Sequence, residues 1–259
     1  MTSPTNEPTP PASEGRPHGR RKLWIALTAG AALVVLVGVG IWYFVFRDTA
    51  PDKVNIESAS ESVDEERSSS STDLDGTWTV DTSIGSFDPD AEDYTSAWVG
   101  YRVQEELAGI GAKTAFGRTP DVSGTLTIDG TTATDVDIEA DLTTLQSDDD
   151  RRDGQLANQA IETSQFPTAT FTLTEPIDFG DVADGETVSV DAKGELTLHG
   201  VTREVTVPLD AKLEGDTVIV TGSIDILFAD YDIEKPSSVA VLSVEDQGVM
   251  ELQLFFTKQ

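Results

Sequence analysis

The chain has 259 residues, and its 47 acidic and 17 basic side chains give a formal charge of −30 at pH 7. It contains no cysteine, which excludes disulfide scaffolds, zinc–thiolate sites, cysteine nucleophiles and a thioether-linked lipid anchor. So acidic a surface repels phosphate, and nucleic acid is therefore not a predicted partner.

The chain begins with a polar tail that is followed by a long apolar run. Residues 1–22 are rich in Pro, Thr and Ser and have too few apolar side chains for a core, which predicts a disordered tail. Residues 23–46 carry no charge and as a helix extend about 36 Å, enough to cross an apolar bilayer core of roughly 30 Å. A cleavable secretory signal is the competing interpretation, but its apolar stretch is shorter and ends in small residues. The run therefore predicts a single transmembrane helix that stays uncleaved.

Charge on the two sides of this run predicts its orientation. Residues 1–47 hold 5 basic and 2 acidic side chains, whereas the rest of the chain holds 12 basic and 45 acidic ones. By the positive-inside rule the tail is cytoplasmic and the remainder lies outside the cell membrane. Residues 47–73 are rich in Ser, Asp and Glu, which predicts a flexible acidic linker ahead of a folded domain over 74–259.

The folded domain alternates between apolar and polar residues, which is typical of strands with one wet face. From Val188 to Leu198 the even positions are apolar, and after His199 and Gly200 the parity shifts to the odd positions. A two-residue turn between antiparallel strands explains this shift. The same pattern recurs along the domain and predicts eight or more antiparallel strands. The one helical pattern lies between Asp150 and Thr163.

A closed barrel and a two-sheet sandwich both satisfy this pattern, and the long consecutive strands with short turns favour the barrel. A membrane-spanning barrel is rejected because the outward faces are dense with Asp, Glu and Thr. The predicted fold is therefore all-β, an antiparallel lipocalin-like barrel with one short helix, preceded by a single N-terminal transmembrane helix. Its aliphatic interior either holds an elongated apolar guest or is filled by side chains, and periodicity does not distinguish the two.

Parity and size select the candidate lumen residues. They are Trp78, Val99, Tyr101, Val103, Ile138, Phe171, Leu196, Leu198, Arg203, Val205, Val207, Ile224 and Phe228. The large rings either pack the core or contact a guest. Arg203 falls on the apolar face, so it is expected at the barrel end, where it reaches solvent, a carboxylate or a lipid headgroup.

Motifs for catalysis are not found in the sequence. It has no Gly-rich phosphate loop, nucleophile elbow or pair of carboxylates in an apolar setting. His199 is the one histidine beyond the tail, and its place in a turn predicts neither a catalytic triad nor a metal site. The acidic cluster from Asp148 to Asp153 is expected to cap the short helix. We therefore predict no catalytic residue, no metal and no cofactor other than a bound lipid.

Four segments together resemble the YceI-like family, and in order they span residues 74–259. They are GTWTVDTSIGSFD (76–88), SAWVGYRVQEEL (96–107), RRDGQLANQAIETSQFPTATF (151–171) and GELTLHGVTREVTVPL (194–209). The resemblance implies an extracytoplasmic, lipocalin-like barrel that holds a polyisoprenoid-type lipid. The chain departs from the family pattern at Glu105, where many members carry a histidine, and over residues 228–238.

These observations predict a membrane-anchored, extracytoplasmic lipid-binding protein that holds an isoprenoid-type chain in its lumen. Its expected partners are that lipid and, through residues 23–46, the membrane; the oligomeric state is left open. The alternative is a filled β-domain with a structural or adhesive role in the cell envelope. An enzyme ranks last.

Overall fold

The computed structural model divides the chain into two compact units, Met1–Arg47 and Asp48–Gln259. The residues that it describes are 35–40, 42–43, 47–48, 50–63, 73–236 and 241–258. In the first unit, residues 35–40 and 42–43 are helical. Most of the predicted transmembrane helix, 23–46, lies outside the described residues. Among those described, no helix combines the length and apolarity that crossing a membrane requires.

The second unit is built almost entirely from strands. In chain order they are β1 Gly76–Val80, β2 Phe87–Asp88, β3 Asp93–Tyr94, β4 Trp98–Leu107, β5 Gly111–Thr119, β6 Val122–Asp129, β7 Thr132–Asp141, β8 Thr168–Leu173, β9 Ile177–Asp178, β10 Thr187–Leu198, β11 Val201–Glu214, β12 Thr217–Leu227, β13 Val241–Val244 and β14 Gln247–Lys258. Two short helices are α1 Ile56–Ser60 and α2 Asp150–Gln155, and a π-helical turn, Leu156–Ala160, continues α2. The predicted all-β, antiparallel architecture with a short helix is confirmed.

The strands close into an eight-stranded antiparallel barrel in the order β1-β6-β7-β8-β10-β11-β12-β14, with β14 pairing back to β1. We call the end with the β6–β7 and β11–β12 turns the lower end, and the end with the β10–β11 turn and α2 the upper end. β14 pairs with β1 through its last residues and with β4 through its first half. β1 therefore completes the lower half of the wall, and β4 with β5 completes the upper half.

The β10–β11 hairpin has the predicted two-residue turn. Both turn residues lie in the left-handed region, His199 at φ 52° and Gly200 at φ 73°, as a type I′ turn requires. The His199 ring offsets the strain of this backbone by packing 4.3 Å from the Phe166 ring, and its Nδ1 lies 3.0 Å from the Tyr231 carbonyl oxygen. This turn fixes the register of the two longest paired strands.

Two glycine substitutions near the upper end are expected to change stability in opposite directions. A Cβ at Gly200 would lie 2.6 Å from Phe166, on a backbone that L-residues adopt poorly. We expect Gly200→Ala to lower the free energy of unfolding by about 1–2 kcal/mol. Gly154 lies inside α2 with open space around it, so Gly154→Ala is expected to raise that free energy by roughly 0.5–1 kcal/mol. Urea unfolding measures the free energy of unfolding of both variants. A Gly200→Ala variant that is as stable as Gly154→Ala would contradict the assignment of the turn.

Residues 50–63, which we call the strap, lie against the outside of the barrel. Asn55 caps α1 by accepting a hydrogen bond from the Ser58 backbone N–H at 2.8 Å. Ile56, Ala59 and Val63 are buried in one core cluster with the outward side chains of β12 and β14. The strap falls inside the predicted flexible linker, 47–73. Instead of being flexible, this stretch is packed against the wall by the apolar stripe of its helix.

Candidate functional site

The lower half of the barrel encloses a cavity of about 170 Å³. Its wall comes mainly from inward positions of β4, β6, β7, β8, β10, β11, β12 and β14, with Leu74, Ile177, Phe179 and Val182 added from β9 and from loops. All lining residues except Thr170 and Lys212 are apolar. The predicted lumen residues in this wall are Val99, Ile138, Phe171, Leu196 and Val207. A single water molecule needs about 10–15 Å³ of such space, so this cavity exceeds a packing defect many times over.

The upper half encloses a second cavity of about 140 Å³. The predicted lumen residues in its wall are Val99, Tyr101, Val103, Leu198 and Phe228. Val99, Ala169 and Met250 line both cavities, which places the two spaces end to end with a waist at these three residues. We refer to the two cavities together as the lumen; its wall is largely apolar.

The upper cavity differs from the lower one because part of its wall is charged. Arg152 of α2 donates from Nη2 to the Glu105 carboxylate at 3.2 Å and from Nη1 to the Asp148 carboxylate. The Glu105 side chain is only 9% exposed. Glu105 thus meets a guanidinium supplied by the short helix. The pair gives the lumen one polar side at its upper end.

Tyr101 adds a hydroxyl without a partner to this polar side. Its OH is buried and accepts or donates no hydrogen bond within the described structure. Burial raises the pKa of Tyr101 well above its usual value of 10.0, so the phenol remains protonated and available as a donor. An unsatisfied buried hydroxyl is unfavourable by about 1–3 kcal/mol, so a polar ligand group that reached Tyr101 from the lumen would remove this cost.

The raised pKa of Tyr101 predicts how barrel stability depends on alkaline pH. Above pH 10 the unfolded tyrosine loses its proton while the folded one keeps it, so the native state binds more protons and stability falls as pH rises. We expect the ultraviolet phenolate signal of Tyr101 to appear only as the barrel unfolds. Tyr101→Phe is expected to remove that step and to flatten the alkaline loss of stability. A Tyr101 signal that appears near pH 10 in the folded protein would contradict the burial of this hydroxyl.

Four of the selected residues do not line either cavity. Trp78 is fully buried at the lower end, where its indole N–H donates to the Leu74 carbonyl at 2.9 Å. Val205 and Ile224 pack against the upper core cluster. Arg203 is exposed, and its Nε donates to the Asp230 carbonyl oxygen at 2.9 Å. Its Nη2 lies 3.8 Å from the Asp230 carboxylate, so Arg203 meets a carboxylate near the barrel end, and the structure does not bring it to the lumen.

The acidic cluster that precedes α2 serves the helix. Asp149 accepts a hydrogen bond from the Arg151 backbone N–H at 2.8 Å, which lowers the Asp149 pKa and caps α2 as predicted. Within the described residues, no group of three His, Asp or Glu side chains converges in a way that could hold a metal ion.

Several residues that line the cavities are not among those predicted from the alternation of apolar and polar positions. Ala169 and Met250 lie at the waist, and Leu156, which begins the π-helical turn, and Ile161, which follows it, line the upper cavity. Alternation selects large side chains on strands, so it passes over a small residue such as Ala169. The apolar side of the predicted helix was the signal for Leu156 and Ile161.

The family model of the YceI-like domain matches residues 62–256 of this chain. Protein YceI of Escherichia coli is 34% identical over 122 residues, which cover 46% of this chain and 57% of that protein. Protein YceI of Salmonella arizonae is 33% identical over the same length and the same shares. The chain therefore spans little more than half the length of the curated relatives that it matches.

A solved structure shares the fold. It is a polyisoprenoid binding domain from Saccharophagus degradans implicated in plant cell wall breakdown, and it is 18% identical with a TM-score of 0.52. The match covers 71% of this chain and 99% of that domain. At this identity the likeness establishes the barrel architecture.

Proposed function

The chain belongs to the YceI-like family, and from this membership and its lumen we propose that the barrel binds an isoprenoid-type lipid, with the apolar chain lying inside. The observation that carries the proposal is the pair of largely apolar cavities that share Val99, Ala169 and Met250 in their walls. A filled β-domain, the alternative, would have its own side chains in this space. The solved relative described as polyisoprenoid binding supports the same choice of guest.

The physical basis of this binding is removal of hydrocarbon from water. Each buried methylene contributes about 0.8 kcal/mol, so a chain of several isoprene units gains affinity without any specific contact. The mixed wall at the upper cavity suits a guest with one polar end. There the Tyr101 hydroxyl is free to donate, while the Arg152 guanidinium is already engaged by Glu105 and Asp148. We therefore place the polar end of the lipid in the upper cavity and its tail in the lower one.

The test is to identify what the protein carries when it is purified from bacterial membranes. The full chain is extracted in a mild detergent and examined by native mass spectrometry, and the bound molecules are then released with organic solvent and identified. We expect about one isoprenoid-type lipid per chain. A protein that is repeatedly empty, or that carries only detergent, would contradict the proposal.

We also propose that residues 23–46 anchor the barrel to the cell membrane and that the barrel lies outside it. The support is the 24-residue uncharged run together with the basic residues that precede it, Arg16, Arg20, Arg21 and Lys22. In intact spheroplasts, external protease is expected to remove a tag placed at the carboxyl terminus and to spare one at the amino terminus. Washing the membranes at alkaline pH tests the anchor. Release of the full-length protein into the wash solution, instead of its retention in the membrane pellet, would contradict anchoring.

A further inference from the structure

The upper end of the barrel carries an apolar rim, although the domain as a whole is strongly acidic. The tip of the β4–β5 hairpin, residues 107–112, reads LAGIGA and has no charged side chain. Val241 of β13 pairs with Leu107, and the adjacent Leu242 is 63% exposed. We define the upper rim as residues 107–112, 241 and 242. Ala108, Ala112 and Leu242 are exposed, and Leu107, Ile110 and Val241 are half-buried. Grouped apolar side chains that are open to solvent are typical of a surface that contacts something apolar.

The upper rim is continuous with the mouth of the lumen. Val241 belongs both to the rim and to the wall of the upper cavity, and Val103 and Val244 extend that wall towards the hairpin tip. The Glu105–Arg152 ion pair lies on this same stretch of wall, because Glu105 is two residues nearer the hairpin tip than Val103 and pairs with Val244. A molecule that moves between the rim and the lumen therefore passes apolar side chains on one side and this ion pair on the other.

The chain enters the barrel at this same end. The Asp48 carboxylate accepts a hydrogen bond from the Thr114 hydroxyl at 2.7 Å, and Thr114 of β5 lies two residues beyond the hairpin tip. From there the strap runs towards the lower end, where Lys212 of β11 donates to the Ser60 hydroxyl at 3.0 Å. The predicted transmembrane run ends at residue 46, so the chain from there to Asp48 spans at most about 7 Å.

From these observations, and resting on the binding and anchoring proposed above, we infer that the upper rim contacts the bilayer and that lipid enters the lumen through this end. The partner is the bilayer itself. The short connection keeps the upper end within reach of the lipid, whereas a long flexible linker would leave all orientations open. The rim is too small to hold so acidic a domain on an anionic membrane by itself, so the tether supplies the high local concentration and the rim supplies the orientation.

The orientation is tested with single cysteines, since the chain has none of its own. Ala108→Cys lies in the upper rim, and Asp129→Cys is the control in an exposed turn at the lower end. Each variant of the full chain is labelled with a polarity-sensitive fluorophore in phosphatidylcholine nanodiscs. We expect brominated lipid chains to quench the label at position 108 at least threefold more than the label at 129. Equal quenching, or stronger quenching at 129, would overturn the inference.

The route of entry is tested by adding one charge at either end. Leu242→Asp places it in the upper rim, and Ala183→Asp places the same charge at an exposed lower-end position. In the full chain in nanodiscs, we expect Leu242→Asp to slow the transfer of a fluorescent prenol into the lumen about tenfold with unchanged final occupancy, and Ala183→Asp to leave the rate unaltered. Equal rates in all three proteins overturn this route while binding itself stands. An unmodified chain that takes up no prenol at all refutes the proposed function. The orientation of the barrel on the nanodisc is then decided by the quenching experiment alone.

Discussion

We expect Glu251→Gln to lower the free energy of unfolding of the barrel by about 3–5 kcal/mol, because it leaves two buried guanidinium groups without their shared counter-ion. The Glu251 carboxylate lies 2.8 Å from Arg102 Nε and 4.0 Å from Arg118 Nη2. All three side chains are at most 10% exposed, and they lie on the outside of the upper wall, beneath the strap and the loop that precedes β4. Burial lowers the pKa of Arg118 to about 10, and the Glu251 carboxylate opposes this shift.

The same change is expected to loosen the strap. Arg102 also donates from Nη2 to the carbonyl oxygens of Pro51 and Asp52, so its position couples Glu251 to the strap. Chemical denaturation of the full chain measures the loss of stability, and limited proteolysis between residues 50 and 63 measures the loosening. Glu175→Gln is the control, because its ion pair with Lys193 is exposed and water screens the attraction between the two charges. A Glu251→Gln protein within about 1 kcal/mol of the original would contradict a buried charge network.

The second large effect is expected at the waist of the lumen. Ala169 of β8 is 7% exposed, lines both cavities and pairs with Ala140 across the sheet. A ring at this position would lie between the two cavities, where a guest that occupies both of them has to pass. We expect Ala169→Phe to reduce the amount of co-purified lipid at least tenfold. Overpacking at this position is expected to lower the free energy of unfolding by about 1–3 kcal/mol.

The matched control for the waist is Thr206→Phe, which adds the same ring to an exposed, outward position on β11. Extraction and mass spectrometry of equal amounts of the two proteins give the comparison, and circular dichroism with thermal unfolding confirms that both are folded. Unchanged lipid content in Ala169→Phe would mean that the guest does not pass the waist. A loss in both variants would point to a general effect of the added ring.

The inward side of the barrel could be predicted from the sequence because parity alone determines it. In a closed sheet every second side chain faces the lumen, so an alternating strand assigns Val99, Ile138, Phe171 and Val207 to the interior without any knowledge of pairing. Parity does not report how far along the barrel a residue lies. This is why Arg203 and Trp78, at opposite ends, share the inward parity and yet line neither cavity.

The strap and β5 could not be predicted in the same way, because their neighbours determine them. From Ala115 to Thr119 every residue of β5 is buried, since the strap and the loop before β4 cover its outer face, and alternation is therefore lost. The strap is polar overall and its composition is typical of a linker. Its helical signal was nevertheless present in Asn55, a good N-cap residue, and in the apolar stripe of Ile56, Ala59 and Val63.

The central claim is that a lipid chain occupies the space between the lower cavity and Tyr101. A crystal structure of the full chain, purified from bacterial membranes without organic extraction, tests it most directly. We predict one elongated, branched density, longer than the detergent used, that passes Ala169 and ends with a polar group at the Tyr101 hydroxyl. Two separate spaces that hold only water, or a lumen filled by side chains of the protein, would contradict the account.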